Sequence, residues 1–313
     1  MKTFLLPHLI CPACLPREEP LQPEIHRERD NDIESGTLHC YRCKKRFPIK
    51  EGIACLLPDP DSGNSAGQRR YEEAGMTGRY LWSHYGDLLG EKTREEGCPG
   101  WAELAAPGGR AALEAGCAVG RLTFELANRF GISVGCDLSR EFITAARRLA
   151  RERQITFTLP LEGRLTQRFD LTLPPDWRSD TVEFIVADAL RLPFAATSFV
   201  QVASLNLLDR VAYPLAHLYD MNRVADDRQS CFLFADPFSW STDTAPEERW
   251  LGGTADGPYP GRGLDNVRAL LEGKGKVLTP PWSIDRSGTV AWRMRTHCNH
   301  FEVITSHYLL ATR

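Results

Sequence analysis

The chain has 313 residues, 42% hydrophobic and 25% charged, with a net charge of −3. That balance supports an ordinary buried core and more than one typical domain, but fewer than three. It excludes a global electrostatic pull toward nucleic acid or lipid, and the lack of any run of about 18 apolar residues excludes a membrane-spanning helix.

The opening segment, MKTFLLPHLICPAC, holds a short apolar run that leads straight into a cysteine pair. A signal peptide needs a longer apolar region and a small-residue cleavage site. The run is therefore predicted to be the first strand of a small metal module, in a cytoplasmic protein. The chain has ten cysteines. Six of them (Cys55, Cys98, Cys117, Cys136, Cys231 and Cys298) are scattered singly, unlike the even framework of a secreted disulfide protein. The other four form Cys11-Pro-Ala-Cys14 and Cys40-Tyr-Arg-Cys43, with 25 residues between the pairs. Each pair sets two thiolates on one tight knuckle, and two knuckles complete a tetrahedral site for Zn²⁺. His8 and His39 flank the pairs as bystanders, since four thiolates close the shell. The alternatives are a module that has lost its metal and a redox dithiol. Two matched pairs argue for a structural role.

The module ends in FPIKEGIACLLPDP, and residues 59–68, rich in Gly, Ser, Pro and Asp, read as a linker. From Arg69 to Glu95 the pattern is helical, broken by glycines and loaded with aromatics, among them Tyr80, Trp82 and Tyr85. The predicted organisation is a zinc ribbon over 1–60, a linker and helical lid over 61–106, and a larger domain over 107–313.

In that larger domain strands and helices alternate. AALEAG is predicted as a strand, 121–131 as a helix stopped by a glycine, ISVGCD as a second strand, and 139–153 as an amphipathic helix capped by Ser139. Strands follow at VEFIVAD, SFVQVASL and SCFLFAD, then a helix at 264–273 and a final strand over about 301–312. The alternation implies a mainly parallel sheet with right-handed crossovers. Insertions at 155–180 and 237–262 show no strong periodicity and are predicted as long irregular loops.

The segment Glu114-Ala-Gly116-Cys-Ala118-Val-Gly120 leaves a strand and enters a helix, where glycines let backbone approach a ligand closely. Asp137 ends the next strand, about 20 residues on, where an acid can accept both hydroxyls of a ribose. Asp188 ends the third strand, followed by Ala189, and can receive an adenine amino group. Asn206 ends the fourth. All stand at the carboxyl ends of parallel strands, where open α/β sheets bind ligands. The competing reading makes each acid only a cap for its following helix. A dinucleotide dehydrogenase would want a third glycine at position 121, which is Arg121.

This ordered set resembles the class I S-adenosylmethionine-dependent methyltransferases over about 107–313. The resemblance implies a Rossmann-like α/β sheet of seven strands with a reversed last strand. It places Gly116, Ala118 and Gly120 around the methionine portion, Asp137 on the ribose and Asp188 near adenine. Ala118 stands where many members have glycine. FPIKEGIACLLP resembles the small zinc-ribbon proteins that partner certain methyltransferases. GCAVGRLTFELA, LEGRL, NLLDRV, ERWLGG and the upstream YLWSHYGD resemble the C-terminal methyltransferase domain of the ovothiol-biosynthesis enzyme. That resemblance implies N-methylation of a histidine-like imidazole, as thiohistidine or histidine, free or in a protein.

For such chemistry Asn206, Asp209 and Asp236 are the candidates to hold the ring proton and fix the tautomer. Arg210 is a candidate for a substrate carboxylate, with a salt bridge to Asp209 or Glu248 as its structural alternative. Tyr80, Tyr85, Trp240 and Trp250 are candidate pocket walls, against ordinary core packing. His297 and His300, in THCNHF, are expected in a hairpin turn. The alternative function is an RNA methyltransferase gripping RNA through Lys44, Lys45, Arg46 and Lys50 of the ribbon. The near-neutral charge and the lack of an NPPY-type motif at Asn206 stand against it. A third reading is a module that binds adenosylmethionine without catalysis.

Overall fold

A computed structural model describes residues 1–59, 70–73, 75–91 and 97–313. The linker expected at 59–68 lies outside the described residues, apart from Asp59. Four antiparallel strands form the N-terminal ribbon: β1 (Gln22–Arg29), β2 (Asp32–His39), β3 (Arg46–Lys50) and β4 (Ile53–Leu56). The strand expected in the opening segment is instead a 3₁₀ turn over Thr3–His8 that buries Leu5. Pro7 inside it has no N–H to give to a sheet ladder.

The larger domain contributes β5 (Gly109–Ala115), β6 (Phe130–Asp137), β9 (Val182–Ala187), β10 (Gln201–Leu205), β11 (Cys231–Asp236), β12 (Ser283–His297) and β13 (His300–Thr312). Their order is β9-β6-β5-β10-β11-β13-β12. Only β13 runs against the others, pairing antiparallel with both β11 and β12. β9 and β11 are buried along their whole length, as their near-continuous apolar runs require of central parallel strands. Among the described residues six α-helices complete the fold: α1 (Met76–Tyr85), α2 (Gly97–Leu104), α3 (Arg121–Ala127), α4 (Arg140–Glu152), α5 (Pro214–Val224) and α6 (Gly263–Leu271). Ser139 caps α4, its hydroxyl accepting the Phe142 N–H at 3.2 Å.

Two sequence expectations change here. Residues 155–180 are largely a β-hairpin, β7 (Gln154–Glu162) against β8 (Leu165–Thr172), with Gly163 turning at φ 56°. Ile155, Leu159, Phe169 and Leu171 are buried, and the polar residues between them masked that period. α3 stops at Ala127, and Gly131 lies inside β6, because Phe130 is needed as a buried strand residue rather than a helix end.

The ribbon continues the large sheet. β4 pairs in parallel with β9, Cys55 opposite Val186 and Leu56 opposite Ala187, giving one eleven-stranded sheet. Arg147 on α4 reinforces the join. One arm of its guanidinium reaches both Asp32 oxygens of the ribbon at 2.7 and 2.8 Å, the other Glu183 on β9 at 2.6 and 2.8 Å. Arg147 and Glu183 are almost fully buried, and a buried ion pair holds only when hydrogen-bonded as fully as this.

Candidate active site

The loop between β5 and α3 sets the backbone of the site. Gly116, Ala118 and Gly120 all adopt left-handed conformations, at φ 75°, 46° and 83°. A Cβ on Gly120 would stand 2.5 Å from the Phe184 ring, so this glycine serves packing as well as turning. Ala118 bears a cost of roughly 1–2 kcal/mol in this region. Its N–H is held at 2.9 Å by Asp137 Oδ2. Position 121, where a dehydrogenase would want glycine, holds a buried arginine. Arg121 clamps Asp87 at 2.7 and 3.0 Å and Glu125 at 2.8 Å, tying the end of α1 to α3.

Burial raises the acids of the strand ends. The Glu114 carboxyl is pushed up to about 8, eased by the Thr123 hydroxyl that donates to it. Asp137 is pushed up to about 6, eased by the backbone N–H groups of Ser139 and Ala118. Asp188 is also raised by burial, with Leu190 N–H donating to its Oδ1 at 2.9 Å. The capping reading is therefore visible too: Asp137 and Asp188 each accept an N–H two residues on.

Above these strand ends lies a cavity of about 710 Å³. That is within the roughly 300–1,000 Å³ of small-molecule sites. One half is walled by Glu114, Gly116, Ala118, Asp137, Asp188, Ala189 and Asn206. The other is walled by Arg79, Tyr80, Ser83 and His84 of α1, by Trp292, Met294 and Thr296 of β12, by Glu302 and Ile304 of β13, and by Arg210. The Ser83 hydroxyl donates to Arg293 O at 2.7 Å and fastens α1 to the C-terminal hairpin.

Several candidates sit elsewhere than expected. Asp209 and Asp236 are buried behind the wall, and neither lines the cavity. Their carboxylates serve the backbone: Asp236 accepts N–H from Phe238 and Asp209, and Asp209 accepts Ser239 N–H at 2.7 Å. Tyr85 is a core residue whose hydroxyl donates to Val119 O at 3.0 Å. Trp240 and Trp250 stack on each other at 6.1 Å and also stand away from the cavity, as insertion-loop anchors. Gly120 backs the loop without lining the cavity. Direct ligand contact is accordingly withdrawn for these six. Asn206 does line the cavity, at φ 56°, but its orientation inverts its expected part. The Trp292 indole donates to Ser306 Oγ at 3.1 Å, and Ser306 donates to Asn206 Oδ1, leaving the amide with hydrogens to offer.

His84 was missed in the sequence although it lies among the aromatics of α1. Its ring stands 5.5 Å from that of Tyr80, and its place four residues later on the same helical face is the signal that could have found it. Burial and the Arg121 guanidinium push it down to about 4, so it stays neutral at neutral pH. Arg79 and Glu302 were missed as well. Among the described residues neither side chain has a protein partner. His297 and His300 flank the tip of the last hairpin, their rings 6.1 Å apart.

The four ribbon sulfurs converge. Cys11 Sγ stands 3.6 Å from Cys43 Sγ and Cys14 Sγ 3.7 Å from Cys40 Sγ, all four within 4.8 Å of one another. Tetrahedral zinc with bonds of about 2.3 Å needs sulfurs at just such separations.

Residues 113–233 match the family model described as a methyltransferase domain, and residues 2–52 match that of Trm112p-like protein. The chain carries a methyltransferase. Its cofactors are S-adenosylmethionine, which the acid-lined half of the cavity fits, and zinc in the Trm112p-like module. No curated protein matches the chain. Among solved structures it is similar to a chain from the complex between the Haloferax volcanii Trm112 methyltransferase activator and a methyltransferase, at 14% identity over 79% of this chain and 97% of that one (TM-score 0.44). It is also similar to the magnesium protoporphyrin IX methyltransferase of Synechocystis PCC 6803 with bound cofactor, at 18% identity over 81% and 94% (TM-score 0.42). None of the described helices is long and apolar enough to cross a membrane.

Proposed function

We propose that the protein is an N-methyltransferase acting on a histidine-like imidazole. The observation that carries this reading is the second half of the cavity. It is a chamber lined by a neutral His84, the aromatic walls Tyr80 and Trp292, and the opposite charges Arg79 and Glu302. A flat aromatic ring bearing a zwitterionic tail fits that set.

In this reading Glu114, Gly116, Ala118, Asp137, Asp188 and Ala189 hold S-adenosylmethionine, which supplies the methyl group as a sulfonium. His84 accepts the N–H of the non-reacting ring nitrogen and so fixes the tautomer that offers a lone pair. Its neutrality matters, because a cation there would oppose both the sulfonium and the methylated ring. Asn206 contributes donors, and Tyr80 excludes water. The test is transfer of labelled methyl to histidine, thiohistidine, a histidine-containing peptide and RNA. Label in either free imidazole supports the reading, and label in RNA alone refutes it.

A further inference from the structure

Asn206 is held in one orientation from two sides. Its backbone N–H donates to Ala235 O at 2.8 Å, and its φ of 56° is one that asparagine adopts more readily than most residues. Its side-chain oxygen meets the hydroxyl of Ser306, a wholly buried residue of β13. That hydroxyl is polarised in one direction. The Trp292 indole, 3.1 Å from Ser306 Oγ, can only donate, and it occupies one of the oxygen's lone pairs. The hydroxyl's single hydrogen goes to Asn206 Oδ1. With the amide reversed, that buried hydrogen would have no partner among the described residues. The relay therefore leaves the cavity the other end of the amide, Nδ2, whose two hydrogens have no protein partner among the described residues. An aspartate would answer Ser306 equally well but would turn an oxygen to the cavity, so N–H is what the amide contributes.

The amide stands where the two halves of the cavity meet. Leu207, next in the chain, packs on the glycine loop, and a Cβ on Gly116 would stand 2.9 Å from its side chain. Trp292 and Ser306 belong to the C-terminal hairpin that walls the other half. A methyl group that leaves a sulfonium beside the glycine loop for an acceptor beside the hairpin passes this amide.

We propose that Asn206 lines the path of the methyl group as a fixed hydrogen-bond donor, with Ser306 and Trp292 as its positioning residues, and that the enzyme thereby selects nucleophiles with no proton on the attacking atom. A pyridine-type ring nitrogen or an anion brings lone pairs to the N–H groups. A primary amine or an alcohol sets its own hydrogens against them, and an N–H donor takes no proton away. The step then needs no base at this point. The acceptor's lone pair forms the bond to the methyl carbon, the carbon–sulfur bond breaks, and its electron pair stays on sulfur as the neutral thioether. This rests on the cofactor placement proposed above and adds a rule for the attacking atom.

The first test needs no acceptor. Sinefungin carries an amine where the cofactor carries its transferable methyl, and S-adenosylhomocysteine carries nothing there. By calorimetry on zinc-loaded wild-type protein, S-adenosylhomocysteine should bind about tenfold or more tightly than sinefungin, whose ammonium meets N–H groups. Asn206→Asp should shift that ratio about 10- to 100-fold toward sinefungin through a charge-assisted pair. Ser306→Ala lets the amide turn over and should bring the ratio toward unity, and Trp292→Phe should move it less. Ser306→Ala added to Asn206→Ala should change the ratio no further, which loss of packing alone would not give. If a variant does not fold, the wild-type preference stands by itself. In the labelled-methyl assay, label on a primary amine or an alcohol would overturn the rule for the attacking atom, whereas label on a thiol sulfur would sustain it and refute the imidazole reading. A wild type that prefers sinefungin, or a ratio unmoved in Asn206→Asp and Ser306→Ala, would overturn this inference and leave the cofactor placement intact. Absence of binding of both compounds to the wild type would overturn both.

Discussion

The two halves of the cavity are built by different means. The half proposed to hold the cofactor is made from strand ends and the turns that leave them: Glu114, Gly116 and Ala118 at the end of β5, Asp137 at the end of β6, Asp188 after β9. These strand ends hold one another: Gly116 N–H donates to Cys136 O at 2.8 Å and Ala118 N–H to Asp137 Oδ2 at 2.9 Å, while Asp137 and Asp188 each accept an N–H two residues on. The half proposed for the acceptor is made by packing α1 against a hairpin more than 200 residues away, joined by Ser83 to Arg293 O. Its charged groups, Arg79 and Glu302, come from elements that share no local motif. The difference teaches that the first half is set by neighbouring strand ends, whereas the second exists only where distant elements pack together.

Metal removal should break the comparison most. The first knuckle supports the cofactor half directly: Ile10 N–H donates to Pro193 O at 3.0 Å, and Arg191 donates to Leu15 O at 3.0 Å. Paired Cys11→Ser and Cys14→Ser replacement, or chelation, should lower Tm by roughly 10 °C or more, as loss of a structural zinc site does. Hydrogen exchange should then rise in β4 and β9 while β12 and β13 stay protected. Equal loss in both regions would show that the halves are not independent.

Asp137→Ala comes next. Removing an acceptor for ribose hydroxyls should weaken cofactor binding about 100-fold by calorimetry, with acceptor KM changed little. His84→Phe should do the reverse, leaving cofactor affinity intact and lowering kcat about tenfold or more, read in a steady-state assay. Loss of cofactor binding in the His84 variant would assign that ring to the wrong half.

The smallest effect is that of pH. Glu114 and Asp137 hold protons more tightly folded than unfolded, with values raised from 4.5 to about 8 and from 3.8 to about 6. Their contribution to stability is therefore full below about pH 4 and lost as pH rises through about 6 and then about 8. A melting series on ligand-free protein should show Tm falling by a few degrees over that window. Cofactor affinity should move the other way between about pH 5 and 7, since only ionised Asp137 accepts from both ribose hydroxyls. A flat Tm would mean that these acids are solvated, and a rising one that the fold favours their ionised form.

Much of the cofactor half was legible in the sequence because its determinants are local. A glycine needed for φ above zero, an acid after an apolar run and a CxxC knuckle each carry their chemistry within four or five residues. The same locality explains the errors. Asp209 and Asp236 have the right spacing for a site, yet a strand end can turn its carboxylate toward backbone as readily as toward a cavity. Trp240 and Trp250 look alike as pocket walls and as partners, and only their mutual stacking decided it.

By itself the sequence determined the parallel sheet, the glycine loop, the strand-end acids and the four-thiolate knuckles, since periodicity and spacing are short-range properties. Tertiary structure alone decided that β4 would extend the sheet through β9, that α1 would meet the C-terminal hairpin, and that His84, Arg79 and Glu302 would face one chamber. Those meetings depend on which apolar faces bury each other across long stretches of chain, and burial leaves no mark at the positions of the polar residues it brings together.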